Sequence, residues 1–169
     1  MDSGLDKGEL KELVKKATSK GAIHAFLYFD AFGNEKDAVE GSLTEYLGRI
    51  AKERGLIYCK GQIEESLESE EHRFTTYAEV EVLAESIDVL QRICMNYGPV
   101  GVEVMAPNSV TLELDELQRL LLNSANLSHE YASMVLRFQT SKENVDELER
   151  KFSARAEVGK KLLEKAKKK

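Results

Sequence analysis

The chain has 169 residues, 42% of them hydrophobic and 32% charged, with a net charge of −6. That composition excludes a disordered chain, and the length suits one ordinary domain plus an appendage. No run approaches the ~18 apolar residues of a membrane-spanning helix, and residues 1–20 lack the apolar stretch and cleavage site of a secretory leader, so a cytoplasmic location is expected.

The charge is unevenly spread. Residues 150–169 hold nine Lys/Arg and two Glu, a net +7, and the remainder holds 15 Lys/Arg and 28 Asp/Glu, a net −13. A body this acidic repels phosphate backbones, so nucleic acid is not an expected partner of the body, and only the tail could attract it. Cys59 and Cys94 match no zinc or CxxC spacing. They are expected to be reduced, buried thiols that pack as small apolar side chains, in keeping with a reducing compartment. The Lys/Glu-rich, Trp-free composition follows the trend of heat-adapted proteins.

Residues 5–19 read as a helix. Asp6 and Glu9 fit a capping box, Leu10, Leu13, Val14 and Ala17 make one apolar stripe, and Gly21 stops it. Residues 22–29 are aromatic and apolar and predict a strand. Asp30, Ala31, Phe32, Gly33 and Asn34 then read as a loop. Val39, Leu43, Tyr46, Leu47 and Ile50 recur at helical spacing over 36–54, and Gly55 ends that helix. Within it, Gly41 and Gly48 lie on roughly one face, where another helix could approach closely. A second strand is predicted over 56–65 and a third over 73–83. Ser86 caps a helix carrying Val89, Leu90, Ile93 and Cys94, which Gly98 and Pro99 terminate. A fourth strand covers 100–105, with Val100, Val102 and Val104 on one face. Beyond Pro107 the pattern is helical. Leu114, Leu117, Leu120, Leu121, Tyr131, Met134, Val135 and Phe138 form a stripe that looks interrupted near residues 123–128. Ser141 caps a last helix bearing Val145, Leu148 and Phe152.

The order β-α-β-β-α-β with two right-handed crossovers builds a four-stranded antiparallel sheet with both helices on one face. The expected fold class is therefore α+β, a ferredoxin-like sheet with an N-terminal helix and a long helical C-terminal extension. The domains follow as 1–20, 21–107 and 108–169.

Such a sheet leaves one face uncovered by its own crossover helices. Strand alternation places Ile23, Ala25, Leu27, Phe29, Ile57, Cys59, Gly61, Ile63, Phe74, Thr76, Ala78, Val80 and Val82 over the helices. The open face then carries His24, Phe26, Tyr28, Tyr58 and Tyr77, ringed by Glu64, Glu79, Glu81 and Glu103. A contiguous exposed aromatic patch asks for a cover. The C-terminal helix or a second subunit is the favoured cover, ahead of a small-molecule site and a stacking platform for single-stranded nucleic acid.

The last option resembles the RNA-recognition motif, whose sheet presents aromatics to bases. The third strand here, Arg73, Phe74, Thr75, Thr76, Tyr77, Ala78, Glu79 and Val80, lacks that family's basic-glycine-aromatic signature, and its glutamates would face the phosphates. Asp30, Ala31, Phe32 and Gly33 resemble the Asp-x-x-Gly turn of ACT domains, which bind amino acids at subunit interfaces. The resemblance makes Asp30 and Gly33 loop ligand candidates, with Phe32 where that family usually has proline.

No nucleophile elbow, phosphate-binding loop or dinucleotide fingerprint occurs. The acidic run from Glu64 to His72 lacks calcium-loop spacing and reads as a solvated hairpin tip. His24, His72 and His129 stand at no zinc-helix spacing, though His24 could meet Glu79 or Glu81 across adjacent strands. No catalytic residue, resident metal or cofactor is assigned. The expected function is a non-enzymatic module acting in regulation or scaffolding, through homo-oligomerisation and binding of a partner protein or small ligand, away from membranes. An RNA-binding protein using the aromatic face and basic tail is the first alternative. A metal-dependent enzyme around His24 is the second.

Overall fold

A computed structural model describes residues 6–68 and 73–139, with side chains as far as 135. The notional tip residues 69–72, the helix predicted from Ser141 and the basic tail lie outside the described residues. The elements in chain order are α1 (Lys7–Thr18), β1 (Ile23–Gly33), α2 (Lys36–Ile50), β2 (Leu56–Ile63), β3 (Leu67–Glu68), β4 (Phe74–Ala84), α3 (Ile87–Tyr97), β5 (Gly101–Ala106) and α4 (Leu114–Gln139).

Local chemistry sets the boundaries. At the start of α1 the Asp6 carboxylate accepts from the Lys7 and Glu9 amides, and the Glu9 carboxylate accepts from the Asp6 amide, which completes the capping box. The Ser86 hydroxyl caps α3 by accepting from the Val89 amide, and Gly98 ends that helix in the left-handed region at φ 51°. α2 ends at Ile50, short of the expected 54, and Gly55 turns the chain into β2 at φ +88°, where any Cβ would stand 2.7 Å from a Val89 methyl.

The sheet is antiparallel, with the four long strands in the order β2-β4-β1-β5, and β3 pairs with β4. This is the ferredoxin-like arrangement, with the short β3 as a fifth strand. β4 pairs with β1 along its whole length, so β2 and β3 share its other edge. Ile23, Ala25, Leu27, Phe29, Ala78, Val80, Val82 and Ala84 from the sheet pack with Leu43 and Ile50 of α2 and Val89, Leu90 and Ile93 of α3. Fully burying each Val, Leu, Ile or Phe among them contributes about 1.5–3 kcal/mol. Between the helices Tyr46 stacks edge-on against Phe29 and Tyr97, its hydroxyl donating to the Tyr97 carbonyl at 2.6 Å. The Tyr97 hydroxyl donates to Glu53 at 2.9 Å, so no buried hydroxyl of this cluster is stranded.

Three expectations are corrected. Asp30 and Gly33 are not in a loop, because β1 continues through them and pairs as far as Gly33 with Phe74. Ladder bonds to β4 outweigh the local turn preference there. Ile57 does not face the helices. A bulge between Leu56 and Tyr58 makes it the extra residue, 45% exposed, while Leu56 and Cys59 both pack on the helix side. The common face expected of Val102 and Val104 is kept, since they pair with Leu27 and Ala25, and on the edge strand they stay 47% and 54% exposed. Finally, α4 runs uninterrupted through residues 123–128. The Ser124 hydroxyl bonds back to the Leu120 carbonyl at 3.0 Å, a polar group satisfied within the helix.

The chain divides into two compact units between Leu117 and Gln118. The first holds the sheet with α1, α2 and α3. In the second, α4 exposes Leu121, Leu127, Tyr131 and Met134.

Candidate functional site: the open face of the sheet

The alternation of β1 and β4 brings the predicted open-face residues together. Across the β4–β1–β5 ladder, Glu81, Phe26 and Glu103 form one row, and Glu79, Tyr28 and Gly101 the next. Tyr77 stands opposite Asp30, and Thr75 opposite Phe32. On the far side of β4, Lys60 pairs with Glu81 and Gln62 with Glu79. In-register neighbours on adjacent strands lie roughly 5 Å apart, so each ring is flanked by carboxylates.

Tyr58 is the exception. It shares this face but is only 6% exposed, because Ala22, Tyr58 and Leu83 pack beneath Leu10, Leu13, Val14 and Ala17 of α1. The N-terminal helix therefore supplies a cover for one end of the face, a role the sequence reading gave to the C-terminal helix or a second subunit. The apolar stripe of α1 was legible, but its target was not, since Leu83 was read as the end of a strand.

Beyond α1 several residues of the face are exposed. Tyr77 is 53% exposed, Phe32 is 74% exposed, and Glu79 and Glu103 are exposed too. His24, Phe26 and Tyr28 are half-buried. His24 Nε2 meets Glu81 Oε1 at 2.8 Å, and the His24 and Phe26 rings lie 5.9 Å apart. The Tyr28 hydroxyl donates to Glu103 at 3.1 Å. Gly101 makes room for this, since a Cβ there would stand 3.2 Å from Tyr28 Cδ2. Desolvation first, then the bond to Glu103 and the charges of Glu103 and Glu79, raise the Tyr28 phenol above its ordinary 10.0.

Glu64 lies at the margin of the face, where its amide donates to the Tyr77 carbonyl at 3.0 Å. The acidic connection that follows is anchored rather than fully solvated. The Ser66 amide donates to Glu40 at 3.1 Å, the Ser66 hydroxyl donates to the same oxygen, and Lys36 reaches Glu65 at 3.1 Å. These Ser66 bonds hold the Glu40 carboxyl below its ordinary 4.5.

Of the metal-site candidates, His24 meets Glu81, and Glu79 falls in the next row, opposite Tyr28. Among the described residues no group of three or more His, Cys, Asp or Glu could hold a metal ion. Cys59 and Cys94 are free and half-buried, and burial pushes both thiols above 9.0, which lowers their nucleophilicity at neutral pH. A Cβ at Gly41 or Gly48 would meet nothing within 4 Å among the described residues, so neither marks a close approach to one of them. Among the described residues no helix is long and apolar enough to cross a membrane.

What this face can do is bind. Rings backed by carboxylates suit a cation that carries apolar surface. No curated protein and no solved structure matches the chain. A family model does match residues 24–158, a span that takes in the sheet, both crossover helices and α4. On that match the chain belongs to the MJ0538 family.

Proposed function

We propose that the chain is a non-enzymatic scaffolding or regulatory module that self-associates and binds a partner through the open face of its sheet. The observation that carries self-association is the seam on α4. Leu114, Leu117, Leu121, Ser124, Ser128, Tyr131 and Val135 follow alternating three- and four-residue steps, the spacing at which one helix packs along another. Leu121 is 63% and Tyr131 is 69% exposed, an apolar surface that a second copy would bury. A cytoplasmic setting belongs to the same reading, supported by the two free cysteines.

Sedimentation equilibrium and native mass spectrometry of the full chain test this. A defined oligomer is expected, converted to monomer by Leu121→Glu with Tyr131→Glu while the far-ultraviolet circular dichroism is kept. A wild-type chain that stays monomeric at all concentrations would falsify the reading. Extra mass retained on the oligomer would identify a small ligand.

A further inference from the structure

The open face asks for a particular kind of occupant. Its centre is apolar, with Phe26 and Tyr28 half-buried and Tyr77 half-exposed. Its surround is anionic, with Glu79, Glu81, Glu103 and Asp30 in register around those rings. Lys60 stands at the β2 margin of the same face, opposite Glu81. A lysine side chain matches this alternation, because its methylene stem lies on a ring while its ammonium reaches the flanking carboxylates. A run of lysines would repeat the match from row to row.

The chain itself carries such a run. Residues 160–169 hold six lysines and one glutamate, within a C-terminal segment of +7 attached to a body of −13. Phosphate-bearing ligands fit poorly, since the carboxylates that attract lysine repel them. We infer that the open face of one copy receives the lysine-rich residues 160–169 of a second copy. The inference rests on the self-association proposed above, which raises the local concentration of each tail near its neighbour's sheet. Charge complementarity chooses the occupant, and the aromatic rows give it purchase beyond simple ion pairing.

The test uses the full chain in two isotopic forms, mixed, equilibrated and treated with a zero-length carbodiimide that joins lysine amines to carboxylates. Isotopically mixed cross-links from residues 160–169 to Glu79, Glu81 or Glu103 are expected. Their yield should fall about tenfold or more near 1 M salt, where charges are screened beyond about 3 Å. Glu79→Lys with Glu103→Lys should abolish them, and adding Lys165→Glu, Lys167→Glu and Lys168→Glu should restore isotopically mixed cross-links at low salt, with the amines now on the sheet and the carboxylates on the tail. An oligomer without such links, or links confined within one chain, overturns this inference and leaves the self-association standing. A monomer at every concentration overturns both. Tight binding of a fluorescent oligouridylate that Tyr28→Ala and Tyr77→Ala abolish would assign the face to single-stranded nucleic acid and overturn the inference as well.

Discussion

Gly61 shows how one missing side chain sets the distance between a helix and the sheet. It faces α2, and a Cβ there would stand 2.5 Å from Leu47 Cδ2. Gly61→Val should therefore destabilise the fold by about 1–3 kcal/mol, as overpacked cores do. Urea unfolding would measure it, and Leu47→Ala in the same chain should recover part of the loss. If the two substitutions simply add, the contact is not the cause. Glu40 offers a second test. Its carboxyl is held below 4.5 by Ser66, so it contributes stability above the unfolded value and loses it as pH falls through the lower folded value. Glu40→Gln should flatten that part of the acid limb of a stability–pH curve and free the Ser66 amide to exchange faster. An unchanged limb would mean that the Ser66 bonds do not hold in solution.

At the scale of elements, α1 is a separate layer on the sheet. It has no fully buried residue and touches the fold through Leu10, Leu13, Val14 and Ala17 over Tyr58 and Leu83. Leu13→Ser with Val14→Ser should raise amide hydrogen exchange across α1 while α2 and α3 keep their protection. Equal loss everywhere would show α1 to be part of one cooperative unit with the sheet. This scale also shows what the sequence made legible. Caps, helix stops and the inward set of β1 and β4 follow from local rules, and the structure keeps them. The bulge at Ile57 inverted one residue, since an inserted position shifts the count without leaving a compositional mark. The strand through Asp30 and Gly33 was hidden because turn-forming residues there are paired by a partner more than forty positions away. Ser124 and Ser128 resembled a break in α4 because their polarity says nothing of a hydroxyl that bonds its own helix.

For the molecule as a whole, the strand order was readable because right-handed crossovers leave few topologies open. The open-face cluster was readable as far as alternation reaches, through His24, Phe26, Tyr28, Tyr77, Glu79 and Glu81. Tyr58 fell out of it because covering a face is a long-range event with no local signature. If copies pair through the α4 seam, the melting temperature should rise with protein concentration, since association stabilises by mass action. Leu121→Glu should remove that dependence. A melting temperature independent of concentration in the wild type would argue against the pairing.

The central ladder also dictates an order of assembly. Its nearest pair, Gly33 with Phe74, spans 74 − 33 = 41 positions, whereas Ile63 meets Ala78 after 78 − 63 = 15. Loop closure favours the shorter span, so the β2–β4 hairpin can form while the chain is still emerging from the ribosome. β1, made first, must wait for β4 before its apolar edge is paired. The face that carries Phe26 and Tyr28 is thus completed late, and a chain interrupted before Glu79 would display the rings of β1 without the glutamates that surround them.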